Sequence, residues 1–320
     1  MADLTKTLAS RLPQPVRRRL RRLRRPRPQE QRTPVPQQPE RSRLETRRDM
    51  VFASARRDGR FLEIGPAHHA ILPKREGFDT RTVDYLDRAG LVDKYADFEH
   101  YDPDSIEEVD YVLSPDGTML KEIDERFDLV LASHVLEHTT SLIDFLNECT
   151  GLLAEGGVLA LVVPDHRYTF DRFRERSSLG RVIDTSIAPP RVHTVGTLTE
   201  FALNAVRHGS TGSWSAGHQG KYRLMHDLVK VREVAAQADG EYVDVHNWIF
   251  SPHHLRLLVE DLHALGYTTL RECFFADTVG HEFFLNLRVD GPGPGLTREQ
   301  LLARSDRERR VDRPVFGRRA

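Results

Sequence analysis

Phe127–Thr140 reads FDLVLASHVLEHTT. Its first half carries Phe127, Leu129, Val130 and Leu131, an apolar run of the kind found in a strand buried on both faces. Its second half contains HVLEH, His134 to His138, which fits H-x-x-E-H. In that pattern two histidines one helical turn apart hold zinc, and a glutamate beside them acts as general base. A zinc site of that type needs a long helix. Here a strand runs directly into His134, and Thr139-Thr140 cuts the segment off. The sequence therefore predicts that HVLEH closes a strand and holds no metal.

On either side of this stretch, strands and helices alternate. RFLEIG (60–65) reads as a buried strand ended by Gly65, and TRTVDYLD (80–87) as a second, followed by a helix in RAGLVDKYAD. VDYVLSPDG supplies a third strand and a turn. After the fourth strand, Thr140 or Ser141 can cap a helix whose apolar positions are Leu142, Phe145, Leu146, Cys149, Leu152 and Leu153. Gly156 and Gly157 are expected to stop it before a fifth strand, VLALVVPD. Ser251-Pro252 then caps a helix with Leu255, Leu258, Val259, Leu262 and Leu265 as its buried stripe, ended by Gly266. YTTLRECFF and EFFLNLRV follow as a hairpin joined by ADTVGH.

Composition sets the limits of this domain. Residues 1–50 carry 15 basic and 5 acidic side chains, whereas the remainder carries 32 and 43. A basic arm thus precedes an acidic body, which argues against nucleic acid as a partner of that body. The arm, residues 1–41, is rich in proline and arginine and cannot bury a core; it reads as disordered, or as a segment that touches anionic lipid. The two cysteines, Cys149 and Cys273, form neither a disulfide framework nor a metal cluster. With no membrane span and no secretory signal, a cytoplasmic protein is expected. Residues 42–165 and 251–290 form the predicted α/β domain, 166–250 an insertion of functional length, and 291–320 a polar tail.

Such an alternation implies a mostly parallel sheet that binds ligands beyond the carboxyl ends of its strands. Polar candidates cluster there: Glu63, Gly65, Pro66 and Ala67 after the first strand, Asp84 after the second, Asp116 and Gly117 after the third. Ser133 and His134 follow the fourth, and Asp165 and His166 the fifth. Asp84 stands nineteen residues beyond Gly65, where an acid can accept both hydroxyls of a ribose. A dinucleotide would need G-x-G-x-x-G, but the turn GPAHHAILPKREG offers one early glycine. A nicotinamide-dependent nucleotide-sugar oxidoreductase is therefore the weaker reading, and a non-catalytic nucleotide-binding module a third. A ligand with ribose, adenine and a small zwitterion suits the turn better.

These segments resemble the class I S-adenosylmethionine-dependent methyltransferases. LEIGP is similar to their first motif, VDYLD to the acidic second, and FDLVLASHVLEH to the fourth strand. LLAEGGVLALVVPD is similar to the passage into the fifth strand. EIGPAHHAILPK, PDHRYTFDRFR and VHNWIFSPHHLRLLVEDL resemble type-11-like members associated with bacterial glycan and glycosyltransferase systems. The resemblance implies a Rossmann-like seven-stranded sheet with a reversed last strand, S-adenosylmethionine as cofactor, and His134 beside its methionine part. It also implies transfer of a methyl group, with a glycan or glycolipid hydroxyl as the suggested acceptor. One departure is Ala67, where the family usually has a second glycine.

A hydroxyl acceptor gains from a general base, for which His134, Asp165, His166 and His246 are the candidates. Tyr168, Trp214 and Trp248 in the insertion suit either a sugar ring or the small core of a closing lid.

Overall fold

The computed structural model describes residues 40–96, 102–113, 119–236, 242–309 and 316. Two compact units are distinguished, Met1–Arg43 and Leu44–Ala320. The first lies almost wholly outside the described residues, and with it the expectations for the basic arm. The α/β domain belongs to the second.

Helix α1 (Glu40–Val51) leads into strands β1 (Arg60–Ile64) and β2 (Asp79–Asp84), helix α2 (Arg88–Tyr95) and the short strand β3 (Tyr111–Val112). Strand β4 (Phe127–Ser133), helix α3 (Leu142–Leu152) and strand β5 (Leu153–Pro164) follow. The insertion contains α4 (Leu179–Ile187), α5 (Val195–Asn204), β6 (Val206–His208), β7 (Tyr222–Leu224) and α6 (Leu228–Ala236). Helix α7 (Pro252–Ala264), strands β8 (Arg271–Val279) and β9 (Glu282–Arg288), and helix α8 (Arg298–Arg309) complete the chain. The main sheet has the order β3-β2-β1-β4-β5-β9-β8. Strands β1 to β5 pair in parallel, and β9 is inserted antiparallel to both β5 and β8. This is the reversed strand that the family resemblance implies.

Alternation along the strands sorts their side chains between the two faces. Leu62, Ile64, Val130, Ala132, Leu159 and Leu161 join one core with α3 and α7. Phe61, Leu129, Leu131, Val158, Ala160 and Val162 join the other, against Val51, Phe52, Ile71 and Leu72. Both faces are covered, so the strands read as continuous apolar runs. Full burial of such a side chain contributes about 1.5–3 kcal/mol.

Several boundaries differ from expectation. Ser141 caps α3, its Oγ accepting the Asp144 N–H at 3.4 Å. The helix ends at Leu152, however, four residues before Gly156. Both glycines lie within β5, where the β4–β5 register shifts between Phe127 and Leu129. A Cβ on Gly157 would stand 2.8 Å from the Phe127 carbonyl oxygen, so the irregularity needs a glycine. Leu265, expected in the buried stripe of α7, is exposed at its C-cap. Cys149 is buried and Cys273 is half-buried.

The polar tail contains a packed helix, α8, with Leu301 buried and Arg298 forked onto Asp261 at 2.7 and 2.9 Å. Glu308 of α8 accepts the Ser251 hydroxyl at 2.6 Å and the His253 N–H at 3.0 Å. Ser251 therefore does not cap α7 with its own side chain. A carboxylate from the tail satisfies an N-terminal amide of that helix and sits favourably on its dipole.

Candidate functional site

At the end of β1 the chain turns sharply. Gly65 has φ +62° and Ala67 has φ +44°. A Cβ on Gly65 would lie 3.1 Å from Val135 Cγ2, so the first turn and the HVLEH turn meet there. Glu63 is fully buried, and its two carboxylate oxygens accept the N–H groups of Ile71 (2.7 Å) and Leu72 (2.9 Å). Burial pushes its pKa up to about 7 against the opposing pull of those two amides. Glu63 thus shapes the loop from beneath. Pro66 accepts the His69 N–H at 2.9 Å through its carbonyl.

Asp84 ends β2. Its carboxylate accepts the Tyr85 N–H at 2.8 Å, and the Ala67 amide stands near enough to favour its charged form. Burial raises its pKa. Asp116 and Gly117 lie outside the described residues.

At the end of β4, Ser133 Oγ accepts a hydrogen bond from Arg47 Nη2 of α1 at 2.8 Å. His134 has φ +54°; with Ala67 it is one of two non-glycine residues in the left-handed region among the described residues. Its Nε2 bonds Glu282 at 2.9 Å, and the other oxygen of Glu282 lies 3.0 Å from Arg47 Nε. Burial alone would raise the Glu282 carboxyl, but the His134 bond and the Arg47 charge hold it down at about 2.

HVLEH is a strand end followed by a single 3-10 turn, Leu136–His138, and not an α-helix. The insertion is stitched onto it. The carbonyl of Glu137 accepts the N–H groups of Asn247 (2.7 Å) and Trp248 (3.0 Å), and Asn247 Nδ2 donates to the Thr139 carbonyl at 3.0 Å. His193 Nε2 bonds the His138 carbonyl at 2.8 Å. These contacts bring His246 to the turn. Its Nδ1 bonds Asp171, itself paired with Arg174 at 3.0 Å, and its Nε2 stands 3.9 Å from Glu137 Oε1.

Of the four base candidates, His134 and His246 therefore both face Glu137, whose Oε1 is 3.6 Å from His134 Nδ1. Asp165 is a correction. It is fully buried, forked by Arg167 Nε at 2.9 and 3.0 Å and bonded by the Thr278 hydroxyl at 2.6 Å, which leaves it no lone pair for a substrate. His166 is buried with neither ring nitrogen hydrogen-bonded, and burial lowers its pKa to about 4. No hydrogen bond or ion pair joins it to His134 or His246 among the described residues. Of the two readings open for Trp214 and Trp248, packing is the one observed: both are buried, and Trp248 belongs to the main core. The exposed rings near the strand ends are Tyr85 and Tyr242, on either side of an Asp244–Lys94 pair 3.2 Å apart.

Sequence reading singled out Asp171 in DHRYTFD as a residue that could face the acceptor, but missed Arg47 and Glu282, which reach the site only through the tertiary fold.

The methyltransferase-domain family matches residues 37–263, well over half of the chain. No curated protein matches. Among solved structures, the chain is similar to an S-adenosylmethionine-dependent methyltransferase from Clostridium acetobutylicum ATCC 824, with 10% identity over 78% of this chain and 91% of that one, TM-score 0.39. It is also similar to the DhpI–SAH complex, with 15% identity, 78% and 87% coverage, and TM-score 0.37. The glycopeptide N-methyltransferase MtfA matches at 15% identity over 38% of this chain, TM-score 0.28, and the match spans about half, 53%, of that protein's length.

Proposed function

The chain belongs to the methyltransferase-domain family, and from that premise we propose that it methylates a hydroxyl of a small acceptor, a glycan or glycolipid, with S-adenosylmethionine as donor. When bound, that cofactor supplies a methyl group already activated on a sulfonium. The first turn fits its adenosyl part. Gly65 leaves the space a Cβ would fill, and Asp84 brings a carboxylate to the neighbouring strand end. Gly65, Pro66 and Ala67 would line the adenosyl part, Asp84 would accept its ribose hydroxyls, and Ser133 and His134 would flank the methionine part. Glu63 holds this loop in shape.

The observation that carries the hydroxyl reading is the convergence of His134, His138 and His246 on the Glu137 carboxylate. An amine acceptor is nucleophilic once neutral, whereas a hydroxyl needs a group that takes its proton or stabilises the oxyanion. The insertion packs His246 against this turn, where it would help align the acceptor, the main work of the protein in an in-line displacement. Tyr85 and Tyr242 present exposed aromatic faces beside Asp244, a pairing suited to a polyhydroxylated ring.

The test is transfer of labelled methyl from S-adenosylmethionine to a panel of sugars, glycolipids and amines. Label in alkali-stable methyl ethers of a sugar is expected. Label confined to amines would overturn the hydroxyl reading, and label on non-sugar alcohols alone would overturn the glycan.

We also propose that the basic arm holds the enzyme at anionic lipid, because 15 basic residues lie within positions 1–50. Full-length protein should sediment with anionic vesicles at low salt and release at high salt. Equal sedimentation by protein lacking residues 1–39 would remove the arm from that role.

A further inference from the structure

We propose that Glu137, His138 and His246 form a binding site for one divalent transition-metal ion, zinc in the first place. Glu137 is fully buried, yet neither of its carboxylate oxygens has a hydrogen-bond partner. Burying a carboxylate that way is costly unless something positive completes it. No arginine or lysine does so among the described residues. Imidazole nitrogens surround it instead: His246 Nε2 at 3.9 Å and His138 Nε2 at 4.0 Å from Oε1. One ligand atom from each of the three residues falls within 4.8 Å of the others.

Those separations are too long for hydrogen bonds but close to the edges of a coordination shell. Zinc–nitrogen and zinc–oxygen bonds of about 2.1 Å in a tetrahedron put ligand atoms about 3.4 Å apart. The two Glu137–imidazole separations exceed that by roughly half an ångström, within reach of small side-chain rotations. The far side of each ring supports the same reading. His246 Nδ1 bonds Asp171, and His138 Nδ1 lies 3.0 Å from Asp244 Oδ1. His246 is thus held by a carboxylate through Nδ1, His138 Nδ1 stands close to another, and both rings turn Nε2 towards Glu137, the arrangement that orients metal-binding histidines. Two imidazoles and one carboxylate suit zinc or another borderline divalent ion and leave a position free. His138 is half-buried, so the group is partly open to solvent.

A second group, His134, His281 and Glu282, has comparable spacing. There Arg47 already sits 3.0 Å from Glu282, and a cation would meet that positive charge. Glu137 has no such competitor. The proposal departs from the expectation of no metal at HVLEH. It also differs from a helical zinc motif, because His134 bonds Glu282 and the third ligand comes from a residue 108 positions beyond His138.

The experiment uses full-length protein stripped with a chelator and titrated with zinc by calorimetry and with cobalt(II) by visible absorption. One equivalent should bind, with the intense bands of low-coordinate cobalt. Affinity should fall about a hundredfold or more in Glu137→Gln, His246→Ala and His138→Ala, and by roughly tenfold in Asp171→Asn. S-adenosylmethionine affinity, measured on the same samples, reports whether each variant is folded and keeps this outcome separate from the cofactor reading. Absence of stoichiometric uptake by the wild-type protein overturns the site. So does unchanged uptake in any folded variant of the three ligands.

Discussion

Val135 packs against Gly65 so closely that a Cβ on the glycine would stand 3.1 Å from Val135 Cγ2, while the glycine itself holds φ +62°. The turn after β1 and the turn after β4 are therefore one packed unit. Gly65→Ala must both enter the left-handed region and displace Val135. Strain of about 1–2 kcal/mol comes from the backbone alone. The expected outcome is a less stable protein whose S-adenosylmethionine affinity falls. Denaturant melts and calorimetry check the two effects, and unchanged values in both would mean that the two turns are not coupled.

Ala67 occupies the left-handed region without being a glycine, at φ +44°. Ala67→Gly should relieve that strain, partly offset by the greater freedom of glycine in the unfolded chain. A net gain on the order of 0.5–1 kcal/mol is expected. A lower unfolding midpoint would show that the methyl group of Ala67 contributes packing that outweighs the strain.

Asp84→Ala should weaken S-adenosylmethionine at least tenfold, because hydrogen bonds to a charged carboxylate contribute about 1.5–3 kcal/mol. The variant also loses the carboxylate that accepts the Tyr85 N–H. Comparing adenosine with the full cofactor by calorimetry separates the two parts. Equal weakening of both places the loss at the ribose end, and intact binding of both removes Asp84 from the site.

Trp248 is buried in the main core, with the Arg181 guanidinium 4.7 Å from its ring centroid. Trp248→Ala should destabilise the fold by about 3–5 kcal/mol. Tyr242→Ala, at an exposed ring, should leave the melt nearly unchanged and raise the acceptor KM. A stable Trp248→Ala protein with a raised KM would restore the tryptophan to the acceptor site.

His166 and His254 are buried imidazoles whose pKa values burial lowers to about 4 and about 3. Unfolding returns each to about 6.5. The unfolded chain therefore takes up protons first, and these two rings contribute stability above about pH 6.5 that is lost as pH falls towards 4. Urea melts at pH 7.5 and pH 5 should show that loss, and His254→Gln should flatten it. An unchanged slope in the variant would exclude His254 as a source of acid sensitivity.

The strands were legible because β1, β4 and β5 are covered on both faces, which leaves uninterrupted apolar runs such as Leu129–Ala132. The strand-end positions of Gly65, Asp84, Ser133 and His134 follow from those runs by counting alone. The boundary of α3 was misjudged because glycine reads as a helix stop, while Gly157 is required by a close approach to the Phe127 carbonyl. The helix in the tail was missed because its buried contacts are few and its capping of α7 acts across 50 residues or more.

The sequence by itself determined the alternation of strands and helices, the glycine turn after β1 and the fact that HVLEH ends a strand, since these depend on local periodicity and on residues adjacent in the chain. Which side chains face one another at the site was decided only by the tertiary structure. Asp165 looked free and is taken by Arg167 and Thr278; Trp248 suited either a sugar ring or a core and is core. Glu137 is sealed beneath His246, which the insertion delivers by hydrogen bonds from Asn247 and Trp248 to the Glu137 carbonyl. Such pairings depend on loop closure over a hundred residues, and no periodicity in the chain records where a loop comes to rest.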